Sequence, residues 1–271
     1  MNLSRLITAL FLAVPLAPLA AHEFWIVPEK YQVAPGSAIR ADFKNGQEFK
    51  GNTLSYFEGR SARFETALGD DVKTVEARAG DAPALQMTAP DADGLLVVLH
   101  ETTPSTISYK EWEKFAKFAT HKDFPDAEAD HTAAGWPRDG FRETYTRHIK
   151  SLIAVGNGAG SDKSYGMATE FVAVSNPYAP EFDDQMVVTL LYNDQPRADA
   201  QVEVFDQDTE GAVTISLHRT DTSGTATIPV MAGHSYLFDA VVLRPAADAG
   251  STENAPVWET LWAALTFAVP Q

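Results

Sequence analysis

Cysteine is absent from all 271 residues, which excludes disulfides, thiolate metal sites and thiol nucleophiles at once. Basic residues are scarce: 21 Lys and Arg face 37 Asp and Glu, giving a formal net charge of -16. A polyanion is repelled over most of such a surface, so nucleic acid is not an expected partner, whereas cations are attracted. No apolar run reaches the roughly 20 residues that a bilayer-spanning helix needs. Catalytic signatures are missing as well, since neither a Gly-x-Ser-x-Gly nucleophile elbow nor a His-Glu-x-x-His zinc helix occurs. Gly156, Gly158 and Gly160 are not followed by Lys-Ser/Thr, so they do not form a phosphate-binding loop and read as a connector.

The amino terminus carries more information. Arg5 supplies a positive start, Leu6 to Leu16 an apolar stretch, and Ala17 to Ala21 a small-residue end broken by Pro18 and Leu19. That is the layout of a secretory signal peptide over residues 1–21, and it predicts a periplasmic, soluble mature chain with no membrane span. Cleavage after Ala20 would place Pro18 at an unfavourable position, so cleavage after Ala21 is expected. His22 then becomes the first residue.

From His22 onward the pattern is mostly β. It predicts two β-sandwich domains of Ig-like or transthyretin-like type, residues 22–175 and 176–271, the first interrupted by a two-helix insertion at about 108–153. Strands are expected at 22–27, 37–43, 53–57, 62–65, 72–77 and 94–100, punctuated by Gly, Asp and Pro. Ser108 and Glu111 suggest a capping box, and Trp112, Phe115, Ala116 and Ala119 fall at helical spacing. A second helix is predicted over 141–153, with Phe141, Tyr145, His148, Ile149 and Leu152 inward and Arg142, Arg147 and Lys150 outward. Residues 120–140 between them read as a polar, acidic loop, a candidate lid. Seven short strands are then expected between Met186 and Val269, starting after the Asn176-Pro177 boundary.

Gln195 to Val202, Thr220 to Ala226 and Gly233 to Tyr236 resemble the transthyretin-like or carboxypeptidase-regulatory-like sandwich. Together with Ala21-His22-Glu23-Phe24-Trp25, Asn176-Pro177-Tyr178 and the ending Trp258 to Phe267, the whole mature chain resembles the DUF4198 family. Members of that family are exported, and some accompany nickel or cobalt uptake systems. The resemblance thus implies periplasmic metal handling beside a membrane metal transporter.

Residue chemistry leads to the same expectation by a separate route. A first-position histidine offers its α-amine and imidazole Nδ1 to one metal ion, and a second imidazole completes a three-nitrogen set suited to Cu(II) or Ni(II). The amine titrates near about pH 8, so binding at neutral pH displaces a proton. His100, at the end of the apolar Leu95–Leu99 run, and His234, in the turn before another strand, are the further candidate ligands beside His22. His121 and His131 read as solvated, His148 as core and His218 as surface. The five tryptophans suggest a sugar-stacking platform only in principle, because Trp258 and Trp262 lie in an apolar ending that reads as core. The expectation is a binding protein for nickel, cobalt or copper that assists an uptake system. Its rivals are a copper redox enzyme with a histidine-brace site and a structural or adhesive envelope protein.

Overall fold

The computed structural model describes residues 22–271, and the predicted signal segment, residues 1–21, lies outside them. The first part of the chain forms β1 (Glu23–Pro28), β2 (Gln32–Val33), β3 (Ala38–Gln47), β4 (Lys50–Leu54), β5 (Ser61–Leu68), β6 (Asp71–Thr74), β7 (Leu85–Thr88), β8 (Gly94–Thr102) and β9 (Ser105–Tyr109). Two helices follow, α1 (Trp112–His121) and α2 (Ala127–Ala133), and then the long β10 (Phe141–Val155). The remainder is β11 (Thr169–Ala173), β12 (Gln185–Tyr192), β13 (Gln195–Pro196), β14 (Gln201–Gln207), β15 (Val213–Arg219), β16 (Thr225–Pro229), β17 (Ser235–Pro245) and β18 (Trp258–Ala268).

A ten-stranded central sheet runs in the order β15-β14-β17-β18-β10-β8-β5-β6, with β2 and β9 also paired to β10. Two four-stranded sheets complete the architecture, one of β1, β3, β4 and β7 and the other of β11, β12, β13 and β16. Side-chain alternation shows how the layers stack, because successive residues of a strand face opposite ways. Leu95, Val97 and Leu99 of β8 pack with Leu152 and Ala154 of β10 and with Phe171, Val188 and Leu190 of the second cover sheet. Leu96 and Val98 turn the other way, with Ile149 and Ile153, toward Trp25, Ile39 and Phe43 of the first cover sheet. The molecule is therefore a mostly-β sandwich in which one shared sheet is covered on both faces.

The helices extend the first cover. Phe115 and Phe118 of α1 pack on Trp258 and Trp262 of β18, beside Phe141 and Val241. Continuity across the chain is also a property of the central sheet. β5, β6, β8 and β10 come from before the boundary expected at 175/176, and β14, β15, β17 and β18 from after it. The parallel pairing of β10 with β18, from Glu143↔Trp258 to Ser151↔Thr266, joins the two halves in mid-sheet. Strand periodicity contains no information about which strands become neighbours, so this join was invisible in the sequence.

The predicted helix over 141–153 is instead the 15-residue β10. Phe141, Tyr145, Ile149 and Ile153 recur every four residues, a spacing that satisfies one helical face and equally one face of a strand. Thr144, Tyr145, Thr146 and Ile149 favour the strand. In consequence Arg147 and Lys150 are buried rather than outward. Ser108 lies in β9 rather than capping α1, which begins after Glu111 with no side-chain cap. The expected loop at 120–140 contains α2 and is packed down, since Trp258 Nε1 donates to His131 Nδ1 at 3.0 Å. His131 is fully buried, not solvated.

Gly156, expected in a flexible connector, sits at φ +59° in a fixed turn. The Asp93 carboxyl stands where a Cβ would be and accepts from Asn157 N–H.

Candidate functional site

Two structures cover the same face of the central sheet, the first cover sheet at one end and the helices at the other. Beside their junction lies a cleft of about 570 Å³. Its walls come from β1, β3 and β4, from the β9–β10 corner and from Trp262 of β18, and its lining includes both His22 and His100. His22 is exposed and directly precedes β1. Extended alternation puts its side chain on the side of Phe24, whose ring centroid is 5.7 Å from that of His100.

His100 is held rigidly. Phe43 and Phe64 flank its ring at 4.3 and 5.4 Å, and its Nε2 lies 2.9 Å from Ser61 Oγ. Its Nδ1 is buried with no hydrogen-bond partner among the described residues. Burial pushes the imidazole pKa down to about 3, so the ring is neutral at any ordinary pH. A neutral imidazole whose Nε2–H donates to Ser61 leaves a bare lone pair on Nδ1, the form in which histidine binds metals.

Arg147 closes the inner end. Its Nη2 donates to the His22 carbonyl at 2.7 Å, its guanidinium lies 3.9 Å over Trp262, and its Nη1 has no acceptor among the described residues. Glu143 accepts from Tyr109 Oη at 2.8 Å and from Thr260 Oγ1 at 2.5 Å, and burial raises its pKa. Neither residue was identified from the sequence, because the helix reading turned Arg147 outward to solvent and gave Glu143 no role. As a strand, β10 places Glu143, Arg147 and Ile149 on one face.

Next to the cleft is a buried charge cluster. Glu23, Glu203 and Asp239 bring carboxylate oxygens close enough to one another to hold a metal ion. The position between them is taken by Lys122, whose Nζ donates to Glu203 at 2.6 Å, Asp239 at 2.8 Å and Glu23 at 3.3 Å. An ammonium thus does what a cation would do there, and these carboxylates are not free ligands.

Burial raises the Glu23 carboxyl to about 7 despite Lys122, and raises Asp239. Glu203 opposes the same desolvation with hydrogen bonds from His121 and Lys122 and stays below the usual range. On Lys122 the three carboxylates outweigh burial, so its ammonium remains charged. His121, expected to be solvated, is half-exposed with Nε2 3.0 Å from Glu203. The sequence held one signal for this cluster: Asp239 and Glu203 interrupt otherwise apolar strands, Leu-Phe-Asp-Ala-Val and Gln-Val-Glu-Val-Phe.

His234 is not among the residues lining the cleft. Its Nδ1 is 2.7 Å from Asp206 Oδ1, in the turn before β17. His148 is core as expected, and burial lowers its pKa to about 4. Trp25, Trp112, Trp258 and Trp262 are all buried and make no exposed stacking platform.

No helix of the described residues is long and apolar enough to cross a membrane. No curated protein matches the chain. Among solved structures it is similar to the D0-D1 domain of intimin, at 15% identity over 90% of this chain and 97% of that one, with a TM-score of 0.20. It is also similar to the tetra-tandem repeat in the extending region of a large adhesion protein, at 10% identity over 91% and 49%, with a TM-score of 0.23. At these scores neither likeness bears on function. The description "Domain of unknown function (DUF4198)" matches residues 19–244, and the chain belongs to that family.

Proposed function

We propose that the protein is a periplasmic transition-metal-binding protein that captures nickel, cobalt or copper for a membrane uptake system, with His22 and His100 as its protein ligands. The observation that carries this reading is that His100, neutral and with an unpartnered buried ring nitrogen, lines the same cleft as His22. Signal cleavage after Ala21 adds the α-amine of His22, for three nitrogens in all. Nitrogen donors of this kind suit Cu(II) and Ni(II), and copper binds more strongly on the general divalent order whichever ion is physiological. The transthyretin-like resemblance of the C-terminal half and the uptake role of some family members belong to the same proposal.

The test uses protein exported through its own signal, purified from the periplasm and sequenced at its N-terminus. It should begin at His22, bind Cu(II) or Ni(II) near pH 7 and release it toward pH 5, where protons compete with the metal for the α-amine. His22→Ala, and a chain with one extra residue before His22, should each weaken binding by at least tenfold. His100→Ala should do the same, and His234→Ala serves as the comparison outside the cleft. Undiminished affinity in the extended chain refutes the proposal.

A further inference from the structure

The face of the central sheet turned away from the cleft encloses a second group of buried ionisable side chains. Lys150 of β10 points to the same side as Leu152 and Ala154, and its side chain is 1% exposed, while those of Asp162 and Glu170 are at 0%. Lys150 Nζ lies 2.7 Å from Asp162 Oδ2 and 3.6 Å from Glu170 Oε2, and it donates to the Lys163 carbonyl at 2.9 Å. Strand β10, the loop after it and β11 thus bring an amine, a carboxyl and a second carboxylate together out of reach of solvent.

An ion pair alone does not account for this arrangement. Asp162 Oδ2 accepts a further bond from the Ala173 N–H at 2.8 Å, but Asp162 Oδ1 is buried with no hydrogen-bond partner, alone among the carboxylate oxygens of the described residues. A buried acceptor left unmet costs its full desolvation, and a buried ion pair is tolerated only where its remaining lone pairs are satisfied. The Lys122 cluster leaves no carboxylate oxygen in that state. Glu170 is fixed in place, since its Oε1 accepts from Ser164 Oγ and from the N–H groups of Tyr165 and Gly166 at 3.0 and 3.2 Å.

We propose that Lys150 and Asp162 condense to an intramolecular amide cross-link, with Glu170 carrying the protons. A desolvated lysine amine is a nucleophile once it gives up a proton, and fixed contact with a carboxyl supplies the proximity that a reaction between free molecules lacks. Nζ bonds to Asp162 Cγ, while Oδ2, polarised by the Ala173 N–H, takes the developing charge and becomes the amide oxygen. The bond from Cγ to Oδ1 breaks. Oδ1 leaves as water with two of the three ammonium protons, relayed by Glu170. One ammonium and one carboxylate therefore give one amide and one water, with no change in net charge and no oxidant. The unmet oxygen is gone, and the proton left on Nζ still donates to the Lys163 carbonyl. The bond ties β10 of the central sheet to the loop leading into β11 of the second cover sheet, a staple between layers in a chain that has no cysteine.

Intact mass of the exported protein, measured after denaturation and compared with its sequenced mature chain, decides this. The protein should be lighter by one water, and digestion should release a branched peptide joining the segments around Lys150 and Asp162. Lys150→Arg keeps the positive charge without the nucleophile and should restore the full mass. Glu170→Gln keeps the shape of the side chain but cannot take up a proton, so the cross-linked fraction should fall at least tenfold. A wild-type chain of full mass overturns the inference, whatever the variants do. A mass deficit without the branched peptide also overturns it, because the water was then lost elsewhere. Complete cross-linking in Glu170→Gln removes Glu170 from the chemistry. None of these masses depends on a metal ion, so the metal-binding reading stands or falls separately.

Discussion

The two faces of the central sheet carry the same kind of strands but have different covers. One continuous sheet closes the face built on Leu95, Val97, Leu152 and Phe238. Its buried lysine, Lys150 of the central strand β10, holds Asp162 at 2.7 Å and the Lys163 carbonyl at 2.9 Å and so pins the loop before β11. The opposite face has two covers, the first cover sheet and the helices, and polar groups fill the seam between them. Glu143, Arg147, Glu203 and Asp239 all project from the central strands into that seam. Under the single cover the buried charges are those that Lys150 gathers with Asp162 and Glu170 at the loop before β11, whereas the two covers leave a seam between them that polar groups line and satisfy. The candidate site is where it is because the cover is discontinuous.

The strongest way to break the comparison is Lys122→Met. It leaves three buried carboxylates with no central cation, and removing one partner of a buried ion pair costs about 3–5 kcal/mol. Chemical denaturation should show the deficit to be larger at pH 8 than at pH 5, where protonation relieves the carboxylates. Leu190→Ala is the counterpart on the closed face. As a fully buried leucine of β12, it should cost about 2–5 kcal/mol through transfer and cavity terms, with no dependence on pH between 5 and 8.

A subtler difference lies in the titration of the seam. Glu23 has its folded pKa raised to about 7 from 4.5, so the folded state holds a proton that the unfolded state has lost. Its contribution is full below about pH 4.5 and disappears as pH rises through 7. His100 and His148 act in the opposite sense: their folded values of about 3 and 4 lie below 6.5, so their contribution is present above 6.5 and fades on acidification. Glu23→Gln should therefore flatten the fall in melting temperature between pH 5 and 8 and leave the acid limb intact. An unchanged alkaline slope would mean that another group holds the proton. The smallest effect is expected of Ser61→Ala, which removes the hydrogen bond to His100 and should cost about 1 kcal/mol. A metal affinity that changes with it would sharpen the assignment of His100 as a ligand.

Legibility in the sequence followed the range of the interactions. Alternating strands such as Met186–Tyr192, Ala200–Phe205 and Thr225–Val230 were readable because period-two burial and turn residues are local properties, and the observed strands lie within two residues of those bounds. His22 could be singled out by its position alone, and His100 by its place at the end of an apolar run. The identity of β10 could not be read, because a four-residue recurrence serves both helix and strand.

Glu143, Arg147 and Lys122 were hidden for a deeper reason. Their importance depends on partners distant in the chain, 117 residues away for Lys122 and Asp239, or on a strand from the far end of the chain, as with Arg147 and Trp262. By itself the sequence determined the β character and the family, both consequences of local pattern. Only the tertiary structure decided that β10 and β18 lie parallel at mid-sheet, that a lysine takes the place between three carboxylates, and that His22, His100 and two arginines line one cleft. Such decisions rest on strand order and desolvation, which exist only once distant segments have met.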